Sequence, residues 1–336
     1  MTKSLLNGLM KIKNRKIKLR YGENPNQKAY LVSDTSRTIF DFQISGKKIS
    51  YNNIIDVDSG LKCLNEFNEP TSIIIKHTNP CGAASAKNIN VAFQKSYSSD
   101  PKSAFGGIVF LNRNINLKLA NNIIKNFFEM VVAPSYDLSA LNRLRAKKNL
   151  ILLKVPKIQK KNSDFRSTIF GKLYQDRDLT PIDQNFINLV SKKKASNKSL
   201  EDIIFSLKIV KHLKSNAIVL SRNKQTIGLG HGQTNRIDAL KFAIKNKKHY
   251  FKNNSFVCAS DGFFPFTDSI NLLNKSACKV IAQPYGSIND KKIILLSFIE
   301  PLGCAIILQP LLFKIFILSV NGKKPSDAHT KFVFLK

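Results

Sequence analysis

The sequence predicts an α/β fold in two lobes, because short β-branched segments alternate with amphipathic segments along most of the chain. Its 336 residues exceed the usual size of one domain, which is roughly 100 to 200 residues. An apolar content of 43% is high enough for a large buried core and excludes a disordered chain. We therefore expect two packed lobes.

The first lobe combines three predicted strands with two helices. The strands are the apolar runs at residues 72–76, 107–111 and 130–133. A polar turn is expected over 77–82, directly after the first strand, and a helix near 91–97. Residues 117–128 predict a second helix. Its apolar face consists of Leu119, Ile123, Ile124 and Phe127.

A second α/β lobe is predicted after a more polar connecting segment at 156–198. Ser199 and Asp202 resemble a capping box at the start of a helix. The apolar face of that helix consists of Leu200, Ile203, Leu207 and Val210. Further strands are predicted at 217–220, 226–229, 256–259 and 279–282.

The two ends of the chain differ from the lobes. Residues 1–17 form a short extension without the continuous apolar stretch of a signal peptide. Residues 291–336 form an atypical apolar tail, which charged residues and prolines interrupt. A membrane span needs about 20 mostly apolar residues without such breaks. We therefore expect no membrane association.

The charge is unusual, because 54 basic and 22 acidic residues give a net charge of +32. Such a field attracts polyanions. The lysines are scattered in short runs, however, and no ribonucleoprotein or zinc-finger motif accompanies them. We therefore expect an anionic small substrate and no specific nucleic acid.

The cysteines favour a reducing environment. The chain has Cys63, Cys81, Cys258, Cys278 and Cys304, and no two of them form a Cys-x-x-Cys pair. This odd set disfavours a structural zinc site and a disulfide framework. A cytoplasmic location is the resulting expectation.

Lys76 and His77 are the first candidates for chemistry, because they lie where an apolar strand opens into a loop with Pro80 and Gly82. Ligands of α/β folds bind beyond the carboxyl ends of strands. Taken alone, a histidine or lysine at a strand end more often has a structural or solvated role.

Seven motifs in a fixed order add to this pattern. They are LRYGENPNQ at 19–27, SIIIKHTNPCG at 72–82, SAFGGIV at 103–109, KSNA at 214–217, GLGHGQTNR at 228–236, ASDGFFPFTDS at 259–269 and QPYGSIND at 283–290. Together they resemble the AICAR transformylase family, the formyltransferase part of the bifunctional purine-biosynthesis protein. The resemblance implies formyl transfer from 10-formyltetrahydrofolate to the 5-amino group of AICAR, which gives FAICAR on the route to IMP.

The resemblance also implies the site residues. The implied catalytic residues are His77, as general base, and Lys76, as the cation that stabilises the oxyanion. The implied AICAR-binding residues are Arg20, Tyr21, Gly106, Glu129, Asn216 and Arg236. The implied folate-binding residues are Asn53, Ile237, Phe263, Asp268 and Ser287. We expect the neighbouring Phe264 and Phe266 to lie in the core.

In fold, the resemblance implies two tandem cytidine-deaminase-like lobes at 18–155 and 199–290. No zinc is expected, because zinc deaminases need a His/Cys-x-Glu signature and a Cys-x-x-Cys pair, and the sequence contains neither. A homodimer with shared active sites and a bound monovalent cation such as potassium are further implications.

Two departures from the family leave alternatives open. The residues before the first motif are too few for the cyclohydrolase domain of full-length relatives, so cyclisation is expected elsewhere. The tail lacks the Arg/His/Phe-rich ending that completes the folate site in relatives. An inactive, truncated or frameshifted remnant of the enzyme is therefore the alternative, and a basic nucleic-acid-binding protein is a more distant one.

Overall fold

The computed structural model describes residues 15–33, 35, 37–156, 163–189, 195–247, 255–284 and 304–308. The strands are β1 (Arg15–Lys18), β2 (Tyr30–Ser33), β3 (Gln43–Ser45), β4 (Thr71–Lys76), β5 (Asn79–Ser85), β6 (Ile108–Leu111), β7 (Met130–Ala133), β8 (Ile151–Lys154), β9 (Ser163–Thr168), β10 (Gly171–Asp176), β11 (Ile187–Leu189), β12 (Ile218–Arg222), β13 (Gln225–Gly230), β14 (Phe256–Ser260), β15 (Cys278–Pro284) and β16 (Cys304–Leu308).

Helices cover both faces of the main sheet, which twelve of these strands build. They are α1 (Tyr51–Leu64), α2 (Ile89–Ser99), α3 (Pro101–Ala104), α4 (Leu117–Ile123), α5 (Leu138–Arg145), α6 (Asn197–Val210), α7 (Arg236–Asn246) and α8 (Asp268–Asn274). Short 3-10 helices occupy Ile39–Phe42 and Gln184–Phe186. The α/β class that the sequence predicts is confirmed.

Twelve strands form one mixed sheet in the order β11-β16-β15-β14-β12-β13-β5-β4-β6-β7-β8-β3. Its two halves repeat one arrangement. In the first half, β4 pairs antiparallel with β5 and β6, and β6, β7 and β8 run parallel. In the second half, β12 pairs antiparallel with β13 and β14, and β14, β15 and β16 run parallel. The halves join where β13 pairs antiparallel with β5.

The repeat extends to the helices and to their contacts with the sheet. Helices α1 and α6 both have 14 residues, and α2 and α7 both have 11. Gly82 of β5 lies against α2, where a Cβ atom would come within 2.1 Å of the Ser96 carbonyl oxygen. Gly228 of β13 lies in the same way against α7, 2.2 Å from the Ala243 carbonyl oxygen. A side chain at either glycine would push the helix off the sheet.

The core explains why the two halves form one body. Strand β4 alternates, so that Ile73 and Ile75 face α1 and α6 while Ile74 faces α2. On the first face, one apolar cluster runs continuously from β8 through α1 and α6 to β15. The opposite face carries two separate clusters, one in each half. The predicted lobe boundaries and the likeness to cytidine deaminases remain predictions.

The structure corrects three local predictions. The polar turn predicted over 77–82 contains only His77 and Thr78, because β5 begins at Asn79. The helix predicted over 117–128 ends at Ile123, and Phe127 is 56% exposed. Helix α6 begins after Ser196, which caps it, so Ser199 and Asp202 do not form the capping box. Apolar spacing located these elements but not their ends.

Part of the predicted apolar tail belongs to the main sheet. Strand β16 lies between β15 and β11, and its position matches that of β8 in the first half. The remaining residues of 291–336 lie outside the described part of the chain. No helix within the described ranges is long and apolar enough to cross a membrane.

Candidate active site

Most of the residues predicted for the site lie at one edge of the sheet, which here means the edge formed by the strand ends. Strand β4 ends there at Lys76, and β6 and β7 begin there after Gly106 and Glu129. Strand β12 begins at the same edge after Asn216, beside the end of β14. Only β5 and β13 separate β4 from β12. At the usual strand spacing, the two groups lie about 14 Å apart along the sheet.

His77 lies at the tip of the β4–β5 hairpin. His77 and Thr78 both have left-handed backbones, with φ of 52° and 66°, which is the conformation of a two-residue type I′ turn. The Thr78 N–H donates to Asp56 Oδ1 at 2.6 Å, and Ser59 Oγ donates to the Thr78 carbonyl at 2.5 Å. The turn therefore presents an exposed imidazole on a backbone that α1 holds.

Lys76 points from the end of β4 towards the start of β6. Its Nζ donates to the Phe105 carbonyl at 2.8 Å. Gly106 follows with a φ of 73°, where a side chain would be strained. An ammonium carries three donors, so two of them point away from this bond. Lys76 can thus donate to a bound oxygen while its position stays fixed.

A basic cavity opens at the same edge of the sheet, where Phe127 of its lining contacts Phe105. It measures about 550 Å³ and is lined by Arg20, Lys47, Lys48, Phe127 and Asn149. Lys47 Nζ lies 2.7 Å from Glu129 Oε1. The Arg20 guanidinium lies 5.3 Å from the ring centre of Tyr21. The cavity therefore offers three cations to an anionic ligand, and the Glu129 carboxylate lies next to one of them.

The second group is built around Arg236 at the start of α7. The guanidinium donates to Asn216 Oδ1 and to Ser260 Oγ, both at 2.8 Å, and it pairs with Asp261. Gly262 leaves room for it, because a Cβ atom there would lie 2.6 Å from Nη2. Arg236 and Asn216 therefore contact each other, and a ligand would have to enter this network.

The predicted folate positions are dispersed. Asn53 is buried in the capping box of α1, where it exchanges hydrogen bonds with Ser50. Ile237 is half-buried next to Arg236, and Asp268 lies exposed at the start of α8. Ser287 lies outside the described residues.

The phenylalanines before α8 are only partly buried as the sequence predicts. Phe264 is fully buried, as expected for a core residue. Phe266 is 67% exposed, so its predicted place in the core is wrong. Phe263 is 41% exposed and is therefore accessible to a ligand. The backbone N–H of Phe264 donates to Gln283 Oε1 at 3.0 Å, which fixes the direction of this loop.

Burial shifts the titration of groups around the site. It raises the pKa of Asp56, although the Thr78 N–H and the nearby His77 oppose this shift. It also lowers the pKa of His231, at the end of β13. Burial raises the pKa of the Cys81 thiol to about 12, so this residue stays protonated and unreactive at neutral pH. Among the described residues, no three His, Cys, Asp or Glu side chains lie close enough to hold a metal ion.

Sequence reasoning missed several residues of the site. Lys47 and Lys48 stand one residue before the capping box of α1, and this basic pair was a usable signal. Asp261 follows a predicted strand, at the end where ligands of α/β folds bind. Asp56 gave no local signal, because its partner Thr78 lies 22 residues away in the chain.

Comparisons with known proteins point to one family. The model of the AICARFT/IMPCHase bienzyme family matches residues 3–246. The bifunctional purine biosynthesis protein PurH of Caldicellulosiruptor bescii is 48% identical over 81% of this chain and 54% of its own length. The proteins of the same name from Thermoanaerobacter sp. and Persephonella marina are 44% and 40% identical, over 81% and 83% of this chain and over 54% and 56% of their own lengths. The chain spans about half the length of the curated relatives it matches.

Proposed function

The chain belongs to the AICARFT/IMPCHase bienzyme family, a family of purine biosynthesis, and from this premise we propose that it transfers a formyl group from 10-formyltetrahydrofolate to the 5-amino group of AICAR. One observation carries the proposal. Lys76 and His77 lie side by side at a strand end, at the same edge of the sheet as the cavity lined by three cations.

His77 acts as the general base in this proposal. The amine of AICAR is a weak nucleophile, because its ring and carboxamide withdraw the nitrogen lone pair. It attacks the formyl carbon while the His77 imidazole accepts one of its protons. Assistance of this kind is worth about 10² to 10⁴ in rate. The exposed position of His77 at the turn tip leaves its ring accessible to a bound amine.

Lys76 stabilises the charge that this attack creates. The C–N bond forms as the formyl carbonyl becomes an oxyanion, and a donor of Lys76 binds that oxygen. The intermediate then collapses, the bond from carbon to the folate N10 breaks, and N10 takes up a proton. One proton leaves the amine and one enters N10, so the transfer is balanced without an added oxidant or reductant.

The basic cavity suits the phosphate of AICAR. Arg20 can form two parallel hydrogen bonds to a phosphate, and Lys47 and Lys48 add positive charge. Glu129 can accept from hydroxyl or amide groups of the ligand. In this arrangement the phosphate lies near Arg20, and the base extends towards Lys76 along the starts of β6 and β7.

The folate side, the dimer and the cation belong to the proposal as well. The exposed Phe263 offers a face for the pterin ring, and Asp268 offers a nearby acceptor. The Arg236 network faces the same sheet edge as Lys76. A homodimer that shares these groups, and a site for a monovalent cation, follow from the family resemblance alone.

The direct test is an assay with purified protein, AICAR and 10-formyltetrahydrofolate, in which FAICAR is measured by mass. We expect turnover by the parent chain and at least about 10²-fold less by His77→Ala. A parallel reaction with FAICAR alone separates the two activities of the family, since IMP formed there would indicate cyclohydrolase activity. Parent protein without FAICAR formation would overturn the proposal.

A further inference from the structure

The two hairpins at the centre of the sheet close with the same type of turn. His77 and Thr78 close β4–β5, and Asn223 and Lys224 close β12–β13. All four residues have left-handed backbones, with φ between 50° and 66°. The hairpins point to opposite edges of the sheet, because β5 and β13 run antiparallel. Only the first turn lies at the candidate active site.

An aspartate in the same helical position holds each turn. Asp56 is the sixth residue of α1, and Asp202 is the sixth residue of α6. Asp56 Oδ1 accepts from the Thr78 N–H at 2.6 Å. The two carboxylate oxygens of Asp202 accept from the N–H groups of Asn223 and Lys224, at 2.9 Å and 2.6 Å. The carboxylate is thus part of the repeated scaffold.

The first turn accepts a hydrogen bond from a serine of its helix, and the second turn has no such serine. Ser59, one helical turn after Asp56, donates to the Thr78 carbonyl. The matching residue of α6 is Phe205, which is buried in the core. Both polar backbone groups of Thr78 are therefore fixed by α1, on the residue directly after His77. In the second turn, the Lys224 carbonyl accepts instead from the backbone N–H of Ser85 in β5.

We propose that Asp56 is a positioning residue for His77, which fixes the turn so that the imidazole stays aligned with the amine it deprotonates. This inference rests on the proposed formyl transfer. A left-handed backbone costs conformational energy at residues other than glycine. A turn of two such residues therefore relaxes when its hydrogen bonds are lost. The His77 ring would then move relative to Lys76. A misplacement of about 1 Å can lower the rate about 100-fold.

Helix α1 is suited to this role because its own position is fixed. Its capping box secures the first turn, and Val57 and Cys63 lie in the core that also contains β4. Asp56 therefore transmits the position of a packed helix to an exposed turn. Catalytic side chains on exposed turns need such support from rigid elements.

The repeat provides a matched control for the test. Asp56→Ala, Asp56→Asn and Asp202→Ala are made in the full chain and compared with the parent, with all rates expressed per folded molecule. We expect Asp56→Ala to lower kcat about 10- to 100-fold while KM for AICAR stays within about threefold. Asp56→Asn should recover most of the rate, because its amide oxygen can still accept the Thr78 N–H. Asp202→Ala should keep kcat, although it removes two hydrogen bonds.

A second readout does not depend on turnover. The chain has five histidines, so the ring signals of His77 can be assigned by nuclear magnetic resonance through their loss in His77→Asn. We expect these signals and the exchange rate of the Thr78 amide to change in Asp56→Ala and not in Asp202→Ala.

The outcomes separate the two proposals. Unchanged His77 signals in Asp56→Ala, or an equal fall in kcat in Asp202→Ala, would overturn the positioning role. A parent without formyl transfer would remove the proposed function, and the signals of His77 would then decide whether Asp56 fixes the turn.

Discussion

The side-chain oxygen of Asn79 accepts a hydrogen bond from the backbone N–H of Lys214 at 3.3 Å. The Nδ2 atom of the same amide donates to the His77 carbonyl at 2.9 Å. One side chain therefore connects the turn that carries His77 to the loop that leads to Asn216. This loop belongs to the second half of the sheet, so the contact joins the two groups of the candidate site.

We expect Asn79→Ala to weaken this connection. Two hydrogen bonds are lost from a half-buried position, which should lower the free energy of unfolding by about 1 to 2 kcal/mol. The activation free energy of formyl transfer should rise by more than the free energy of unfolding falls, because the two site groups lose their link. Urea unfolding and kcat check these effects. Asn114→Ala is the control, since Asn114 binds Asp137 beyond the far end of β6.

Exchanging the residues at the two turn tips tests the role of His77. His77 and Asn223 are both exposed and have φ of 52° and 50°. Asparagine tolerates this conformation, so His77→Asn keeps the turn while removing the base. We expect kcat to fall about 10²- to 10⁴-fold with little change in AICAR affinity. Asn223→His should leave kcat unchanged, and equal activity of His77→Asn and parent would remove His77 from the mechanism.

Lys47 should contribute to the binding of AICAR. It lines the basic cavity and pairs with Glu129, and both side chains are about one-third exposed. The pair should therefore contribute less than about 1 kcal/mol to stability. Lys47→Met should nevertheless weaken AICAR binding by about 1.5 to 3 kcal/mol, if a charge-assisted bond to the ligand is lost. Calorimetry measures this change, and Lys241→Met, on the exposed side of α7, should have no effect on affinity.

Asp202 should make stability depend on pH in a defined direction. Burial raises its pKa above 3.8, although the N–H groups of Lys224 and Asn223 oppose this shift. The folded state thus holds this proton to higher pH than the unfolded state does, so stability falls as pH rises from 3.8 to the raised pKa. Asp202→Asn should lack this fall, which urea unfolding across this range measures.

Asp238 provides a control of opposite sign. Its hydrogen bonds with Asn235 and Lys241 lower its pKa. The stability that it contributes is present above 3.8 and is lost as pH falls through the lowered pKa. The free energy of unfolding of Asp238→Asn should therefore differ less from that of the parent at acidic pH than at neutral pH. If the stability contributed by Asp202 and by Asp238 changed in the same direction with pH, this account would be contradicted.

Strand β16 should be required for folding, although it lies in the predicted apolar tail. It pairs with β15 on one side and with β11 on the other. A chain that ends at residue 303 loses both pairings and leaves the edge of β15 open, which promotes aggregation. A chain that ends at residue 308 keeps them. We expect a markedly higher soluble yield and melting temperature for the longer chain, and equal values would show that β16 is dispensable.

The local pattern of the sequence was enough for the class of fold and for the position of Lys76 and His77 at a strand end. The apolar run at 73–75 specifies a buried strand, because alternate side chains must face the two helical layers. The polar residues that follow it placed Lys76 and His77 at a strand end. The order of the motifs gave the family, which the comparison with known proteins confirms.

Only the tertiary structure decided which distant groups meet. The contact of Asp56 with Thr78, the pairing of Arg236 with Asp261 and the place of β16 all depend on the order of strands in the sheet. Hydrophobic periodicity reports how each segment faces the core, and it is a property of a few neighbouring residues. Strand order and register instead depend on the packing of the whole chain, so no local pattern determined how the two hairpin turns are held.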